Sequence, residues 1–509
     1  MEAGISRELP SYAGNGEQTA LLPASPAACQ VATSRTRFWI LALFCAFSCL
    51  SCWQWNSWGP ISESVGAAYP DWGSSRVALM ANIGTGIFVV SVWPVCWAVE
   101  RLGLRVSMLI TCFLSTFALA LRCFTQDPQL FTLLCTISSC ILGVAMSMVL
   151  AVPPLIAVDW FPKHERTTAQ AVIFSMEQLG LLVSYLEPLI VRLPGPAVSV
   201  AVLRDDISQL MYIGTGCSVV LSVACILYFP SRPAMPPSRA AAVQRMTLMQ
   251  GVKTFVRSRQ LWLLIVCYFA CTGPAFGWLT VLNYSLLPLH FHQDESMWVA
   301  GAAIVISAAA SLAAGHYTDK NSGHLRRTLV VLMLLSAASF YWFLLLFEGT
   351  IPFSKWQVYA SVISSISLNF ASIPVFYEMA QELAWLCPEV VVGGMLAFAD
   401  NISATIFLLM YQLPSIGLDW VPYVLVASCA LVVLPISCIN VSYVRTGLDL
   451  EGRDPVAIDG AAAAAPPAAA ARPGRRTSCV SVDIASTAAT ALRGKMSSYG
   501  SVVDPAQLC

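Results

Sequence analysis

Five carboxylates stand inside long apolar stretches of this 509-residue chain: Glu177, Glu187, Glu378, Glu382 and Asp400. A charge near the middle of a bilayer costs ~2.5 to 3.5 kcal/mol even on lenient insertion scales, so acids at such depth are functional candidates. Glu177 is the first choice for proton coupling. It lies about twelve residues into its stretch, which at ~1.5 Å per residue is ~18 Å deep and close to the midplane. An enclosed carboxylate there can take a proton from an acidic compartment and release it into a neutral one. A hydrogen bond to a neighbouring helix is the other use open to the same side chain.

A second group is aromatic. Trp55, Trp58, Trp278 and Tyr284, with Asn56 among them, gather toward one end of two stretches. Indole faces attract cations and flat heterocycles, worth up to ~2 kcal/mol each when desolvated. Trp and Tyr also mark the membrane interface. Trp58 is assigned to that belt, and Trp55 and Trp278 to a substrate pocket.

These residues need long helices to hold them. With 57% hydrophobic and 11% charged residues, the chain reads as an integral membrane protein. Helical spans need about 20 apolar residues. Twelve are expected, at 37–58, 75–99, 106–124, 130–158, 166–191, 209–229, 260–289, 297–317, 327–347, 357–385, 390–413 and 420–444. Their outer faces would meet membrane lipids. Gly59-Pro60, Pro94, Pro153-Pro154, Pro288 and Pro374 interrupt them, which is tolerated at membrane depth where the break faces protein or a cavity.

Lys and Arg collect between spans six and seven, where Arg232, Arg239, Arg245, Lys253, Arg257 and Arg259 occur without an acid. That segment is expected to be cytosolic, and parity then puts both termini on the same side. Glu378 and Glu382 are four apart, hence on one helical face, in the cytosolic half of their span. Ion pairs with Arg101, Arg105, Arg166 or Arg326 would hold that side shut and break when it opens. A purely structural ion pair fits the same depth, and Asp400 is either cavity-facing or paired.

The chain ends, 1–36 and 445–509, read as disordered cytosolic arms around a 37–229 bundle, a 230–259 central loop and a 260–444 bundle. No cleavable signal peptide is expected, because the first 34 residues hold no apolar segment. Glu17 stands four positions before Leu21-Leu22, the pattern of acidic dileucine signals read by clathrin adaptors, which points to endolysosomal sorting. The sequons at Asn283, Asn401 and Asn440 fall within or beside spans and are expected to be unused. The eighteen cysteines lie mostly in spans as small apolar side chains, and packing is preferred over metal or redox use for Cys49 and Cys52. No Walker loop, zinc-spaced set, nucleophile elbow or nucleic-acid module is seen, so neither an enzyme, a cofactor nor a nucleic-acid partner is expected.

The two halves echo each other. Trp39 and Trp55 recur sixteen residues apart as Trp262 and Trp278, and a charged loop occurs twice: Glu100-Arg101 with Gly103 and Arg105, and Asp319-Lys320 with Gly323, Arg326 and Arg327. These loops resemble the G-x-x-x-D-R/K-x-G-x-R/K motif of the major facilitator superfamily. The second copy keeps Gly315, Asp319 and Lys320, while the first has Cys96 and Glu100 for the glycine and aspartate. Trp55-Asn-Ser-Trp58-Gly-Pro60, Phe229-Pro-Ser-Arg-Pro233-Ala-Met-Pro236-Pro237 and Pro374-Val-Phe-Tyr377-Glu378-Met-Ala-Gln-Glu382 resemble segments of solute carrier family 49. Glu177-Gln178-Leu-Gly180 is similar to a segment of its choline-transporting members, in which Gln178 matches a ligand-contacting glutamine.

The resemblance implies an all-α membrane protein of twelve helices in two pseudo-symmetric six-helix bundles. It further implies a lysosomal, proton-driven carrier of a small organic solute such as a pyridoxine-like vitamin, with choline or a related amine as the alternative. A non-transporting receptor or sensor on the same fold is the third reading. The site expected is Trp55, Asn56, Gln178, Trp278 and Tyr284 for substrate, Glu177 for protons, and a cytosolic gate of Glu100, Arg101, Arg105, Arg166, Asp319, Lys320, Glu378 and Glu382.

Overall fold

The computed structural model describes residues 32–446 apart from 73, 197, 243–245, 287, 288, 290, 292, 322, 412–418 and 442. Glu17, Leu21, Leu22 and the Tyr284 side chain lie outside the described residues. Helices begin where the sequence supplies caps: the Asp127 carboxylate accepts from Leu130 N at 3.1 Å with Pro128 leading the helix, and Ser199 and Ser258 accept from Val202 N and Leu261 N.

Eleven helices among the described residues are long and apolar enough to cross a membrane. One of them, Asn82–Arg122, has 41 residues, and at ~1.5 Å each that is about twice a hydrocarbon core. Gly103 divides it, with φ 81° and ψ 164°, a conformation essentially reserved for glycine. Among the described residues the crossings therefore number twelve: α1 (Thr36–Asn56), α2 (82–102), α3 (104–122), α4 (Pro128–Ala151), α5 (Arg166–Ser184), α6 (Val200–Leu227), α7 (Arg259–Thr280), α8 (Gln293–Lys320), α9 (Leu325–Phe347), α10 (Lys355–Ala371), α11 (Glu389–Tyr411) and α12 (Trp420–Cys438).

Proline sets several breaks. α4 yields at Val152 to a second helix, Pro153–Trp160, and α10 yields at Ser372 to Ile373–Leu383 with Pro374 in its first turn. The last span is shorter than expected and ends at Cys438. The chain past it is not loose at once: Arg445, expected to begin a disordered tail, is 1% exposed.

The helix pairings repeat between the halves. α1 packs on α5 as α7 packs on α11; α4 packs on the α2–α3 helix as α10 packs on α8 and α9; α6 packs on that helix as α12 packs on α9. The halves meet through α5 against α8 and α2 against α11. Without water to drive apolar surfaces together, such contacts rely on small residues that let backbones approach. At Gly315 of α8 a Cβ would stand 2.8 Å from Ala171 Cβ and 2.9 Å from Thr167 O of α5. The segment between the halves is partly helical, and its helix Leu248–Arg257 starts in a capping box of Thr247 and Gln250.

Gly315→Val should pry α8 from α5 and cost about 1–3 kcal/mol, an overpacking penalty read as a lowered melting temperature in detergent. Gly216→Ala, with open space at its Cβ, should leave the melting temperature within about a degree.

Candidate functional site

Between the halves lies a cavity of about 100 Å³ lined by Cys52, Trp55, Phe174, Glu177, Gln178, Tyr268, Phe276, Phe370, Tyr377, Asp400 and Asn401, among others. α1, α4 and α5 supply one wall; α7, α10, the helix after it and α11 supply the other. A second chamber of about 110 Å³ shares Trp55, Leu181, Phe276 and Asn401, and adds Asn56, Asn82, Thr85 and Tyr185. It lies toward the ends of α1 and α2 remote from the charged loops.

Polar groups in the cavity are held by few partners. Glu177 is 8% exposed, and its Oε1 has no hydrogen-bond partner among the described residues. The Gln178 Oε1 accepts from Ser307 Oγ of α8 at 2.5 Å, a bond between the halves. Asp400 Oδ1 accepts from Thr272 Oγ1 at 2.6 Å. Asn56 donates through Nδ2 to Ser184 Oγ at 2.8 Å, which ties α1 to α5 and fixes the amide at the second chamber.

Trp278 does not reach the cavity. It is fully buried within its own half, with its ring 5.8 Å from that of Phe340 and 5.3 Å from that of Phe343 on α9. The face of α7 at that position turns inward to α9, so the match with Trp55 across the repeat does not carry a shared role. Trp58 is likewise no interfacial belt residue. At 4% exposure it packs on Trp72 at 4.9 Å, with the Arg122 guanidinium 5.0 Å from its ring. In place of Trp278 the cavity has Tyr268, Phe276, Phe370 and Tyr377, which sequence reasoning did not select. Tyr377 lay within the quoted Pro374–Glu382 segment, and its neighbours carried the signal.

Below the cavity, on the side of the charged loops, two layers close the path. The first is aromatic: Phe174 of α5 sits 4.8 Å from Tyr377, which stands edge-on to Tyr268 at 6.0 Å. The second is ionic. Asp319 at the end of α8 accepts from Thr167 N at 3.0 Å and from Thr168 N and Oγ1 at 2.7 Å, so that a carboxylate from one half caps a helix start in the other. Glu378 accepts from Gln170 Nε2 of α5 at 3.1 Å and pairs with Arg445 at 3.3 Å. Glu382 accepts from Thr446 Oγ1 at 2.5 Å.

The partners of Glu378 and Glu382 correct the expected ones. Arg101, Arg105 and Arg326 are exposed, Arg326 donating to Ser437 O and Ile439 O, while buried Arg166 donates to Ser238 Oγ in the central segment. Lys320 is exposed as well. Glu100 Oε1 accepts from Leu248 N at 2.7 Å, and Met246 N donates to Leu386 O at 3.1 Å, so the central segment touches both halves. Gly393 of α11 is packed against Ala151 O, and Cys96 Sγ of α2 donates to Val390 O at 3.4 Å. The halves are thus joined on the charged-loop side, and the second chamber lies toward the other.

Two half-bundles thus enclose a cavity, and comparison with known proteins decides the family. The sequence pattern of the Major Facilitator Superfamily matches residues 39–409. A "Solute carrier family 49 member 4 homolog" of Xenopus tropicalis is 31% identical over 452 residues, 86% of this chain and 98% of that relative. The chain belongs to the major facilitator superfamily and, within it, to solute carrier family 49. The "Choline/ethanolamine transporter FLVCR2" of Rattus norvegicus is 26% identical over 75% of this chain and 69% of its own. Among solved structures, the proton:xylose symporter XylE superposes with a TM-score of 0.63 at 12% identity, over 82% of this chain and all of that one. The E. coli fucose:proton symporter FucP gives 0.60 at 10% identity, over 80% of this chain and all of that one. These likenesses establish the fold, and the solute carrier family 49 member is a solute transporter by kinship.

Removing one partner of a buried ion pair leaves a bare charge, at a cost of about 3–5 kcal/mol. Arg445→Ala should therefore loosen the gate and raise maleimide labelling of buried Cys96, followed by mass spectrometry, by about tenfold or more. Labelling unchanged from the parent would show that this pair, which lies within the second half, is not what keeps Glu378 on Gln170 of the first.

Proposed function

We propose that this member of solute carrier family 49 carries a small organic solute across the lysosomal membrane with proton coupling, and that a pyridoxine-like vitamin is the cargo. The observation that carries the reading is Glu177: a carboxylate with one oxygen unengaged, enclosed in a ring-walled cavity between two halves that are closed on one side. A flat pyridine derivative fits such walls, since each ring pair adds ~0.5–1.5 kcal/mol beyond its buried area. Amide and hydroxyl groups at Gln178, Asn401 and the second chamber match the hydroxyls of such a molecule. The positive charge of the central segment supports a cytosolic position for the closed side and both termini. In that orientation the cavity faces an acidic lumen, Glu177 takes up a proton there with cargo, and the halves rock to release both into the cytosol. Glu17 with Leu21 and Leu22 would supply the adaptor signal that brings the carrier to the lysosome.

Choline is the second reading. It is favoured by Trp55 and Gln178 facing one cavity and by kinship to proteins named for choline and ethanolamine transport.

Uptake of labelled pyridoxine and choline into proteoliposomes tests both. With an inward proton gradient, pyridoxine uptake should rise about tenfold over the gradient-free rate, and Glu177→Gln should abolish that rise. Saturable choline uptake without pyridoxine uptake would install the second reading. In cells, Leu21→Ala with Leu22→Ala should move most of the protein from lysosomes to the plasma membrane, seen by surface biotinylation.

A further inference from the structure

The lining of the central cavity holds two acids, Glu177 and Asp400, and no Lys, Arg or His. Two negative charges in a ring-lined space at membrane depth cannot both stay uncompensated. One is neutralised by a proton under the reading above; the other takes either a second proton or a positive charge brought in from outside, since the cavity walls supply none, and its setting decides between them. The two acids differ in setting. Glu177 is the more enclosed and its Oε1 is unengaged, which suits a proton. Asp400 on α11 is more open to the cavity, and the Thr272 hydroxyl at 2.6 Å holds its Oδ1, leaving the other carboxylate oxygen for a ligand. Tyr268, Phe276, Phe370 and Tyr377 line the same half of the space.

We infer that Asp400 is the group that recognises a positive charge on the cargo, that Thr272 is its positioning residue, and that the cargo class is therefore an organic cation such as a pyridinium or ammonium. This deepens the cargo-cavity reading and depends on it, but not on pyridoxine being the cargo. Loading then adds one proton at Glu177 and one positive group at Asp400, one acid from each half, and leaves the closed cavity neutral. Electroneutral occupancy is what allows two halves to meet around buried charge without the full desolvation penalty. Carboxylate and ring faces together are the chemistry that selects a cation over a neutral molecule of the same shape.

The test compares isosteres. Binding of 3-(hydroxymethyl)-1-methylpyridinium, a permanent cation, and of 3-methylbenzyl alcohol, its neutral counterpart, is measured by calorimetry on the full-length protein in nanodiscs, without any gradient. The cation should bind at least about tenfold more tightly, a preference of the size expected for one partly screened charge pair. Asp400→Asn should bring the ratio to within about threefold of unity, whereas Asp400→Glu should retain most of it. Thr272→Val should weaken cation binding with little effect on the neutral alcohol, and Thr272→Ser should restore it. A tenfold preference that survives Asp400→Asn, no preference in the parent protein, or a loss confined to Glu177→Gln would overturn the assignment. Failure of pyridoxine uptake with the cation preference intact would instead strike only the vitamin reading.

Discussion

A carboxylate left bare in hydrocarbon costs more than most single packing contacts return, and the placement of acids in this chain follows from that constraint. Each intramembrane acid is either fixed by a partner across a helix boundary or set where a mobile positive charge can reach it. Asp319 caps the start of α5, and Glu378 is met by Gln170 and Arg445. Glu187 accepts from the Trp53 indole at 2.7 Å. Glu177 and Asp400, by contrast, open on the cavity. The division separates groups that hold one state together from groups available to something that enters and leaves.

The fixed acids share a geometry that matters for alternation. Asp319 and Glu378 come from the second half and bond to α5 of the first, so separating the halves on that side must break both. Around them the contact is made by small residues, Gly315 against Ala171 and Gly393 against Ala151. Interfaces of this type release at a lower cost than interlocked large side chains, because little apolar area is re-exposed and the polar groups can find water.

Much of the architecture was legible because apolar run length is a strong signal and the charge loops punctuate it. The crossing at 327–347 corresponds closely to α9, and that at 166–191 begins with α5 at Arg166 but runs seven residues past its end at Ser184. Glu177, Gln178 and Trp55 reach the cavity because depth along a span can be read by counting residues. Rotation about the helix axis cannot: Trp278 occupies the depth of Trp55 in its half, yet turns to Phe340 and Phe343. Trp39 and Trp262, the outer pair of the same repeat, do behave alike, each exposed with its indole donating to a nearby carbonyl. Long-range partners were also hidden. Arg445 lies beyond the last apolar run, 67 residues from Glu378, and nothing in local pattern marks a charged residue after a span as part of the gate. Gly103 was visible as a loop glycine, while its role of parting one long helix into two needed its backbone angles.

Cavity and gate are joined by one short element. Tyr377 lines the cavity and Glu378, the next residue, carries the bonds to Gln170 and Arg445; both belong to the helix Ile373–Leu383. That helix follows α10 across Ser372, whose backbone is itself helical, and Pro374 in its first turn removes a backbone donor at the junction. A ring that enters between Phe174 and Tyr377 must displace one of them, since their centroids are 4.8 Å apart. Displacing Tyr377 moves the backbone from which Glu378 reaches α5, and a shift of about an ångström takes a 3.1 Å hydrogen bond beyond useful range. Under the proposed carrier function, occupancy of the cavity and the bonds of Glu378 would be linked through adjacent residues of a single helical segment, and no longer path between the two would be required.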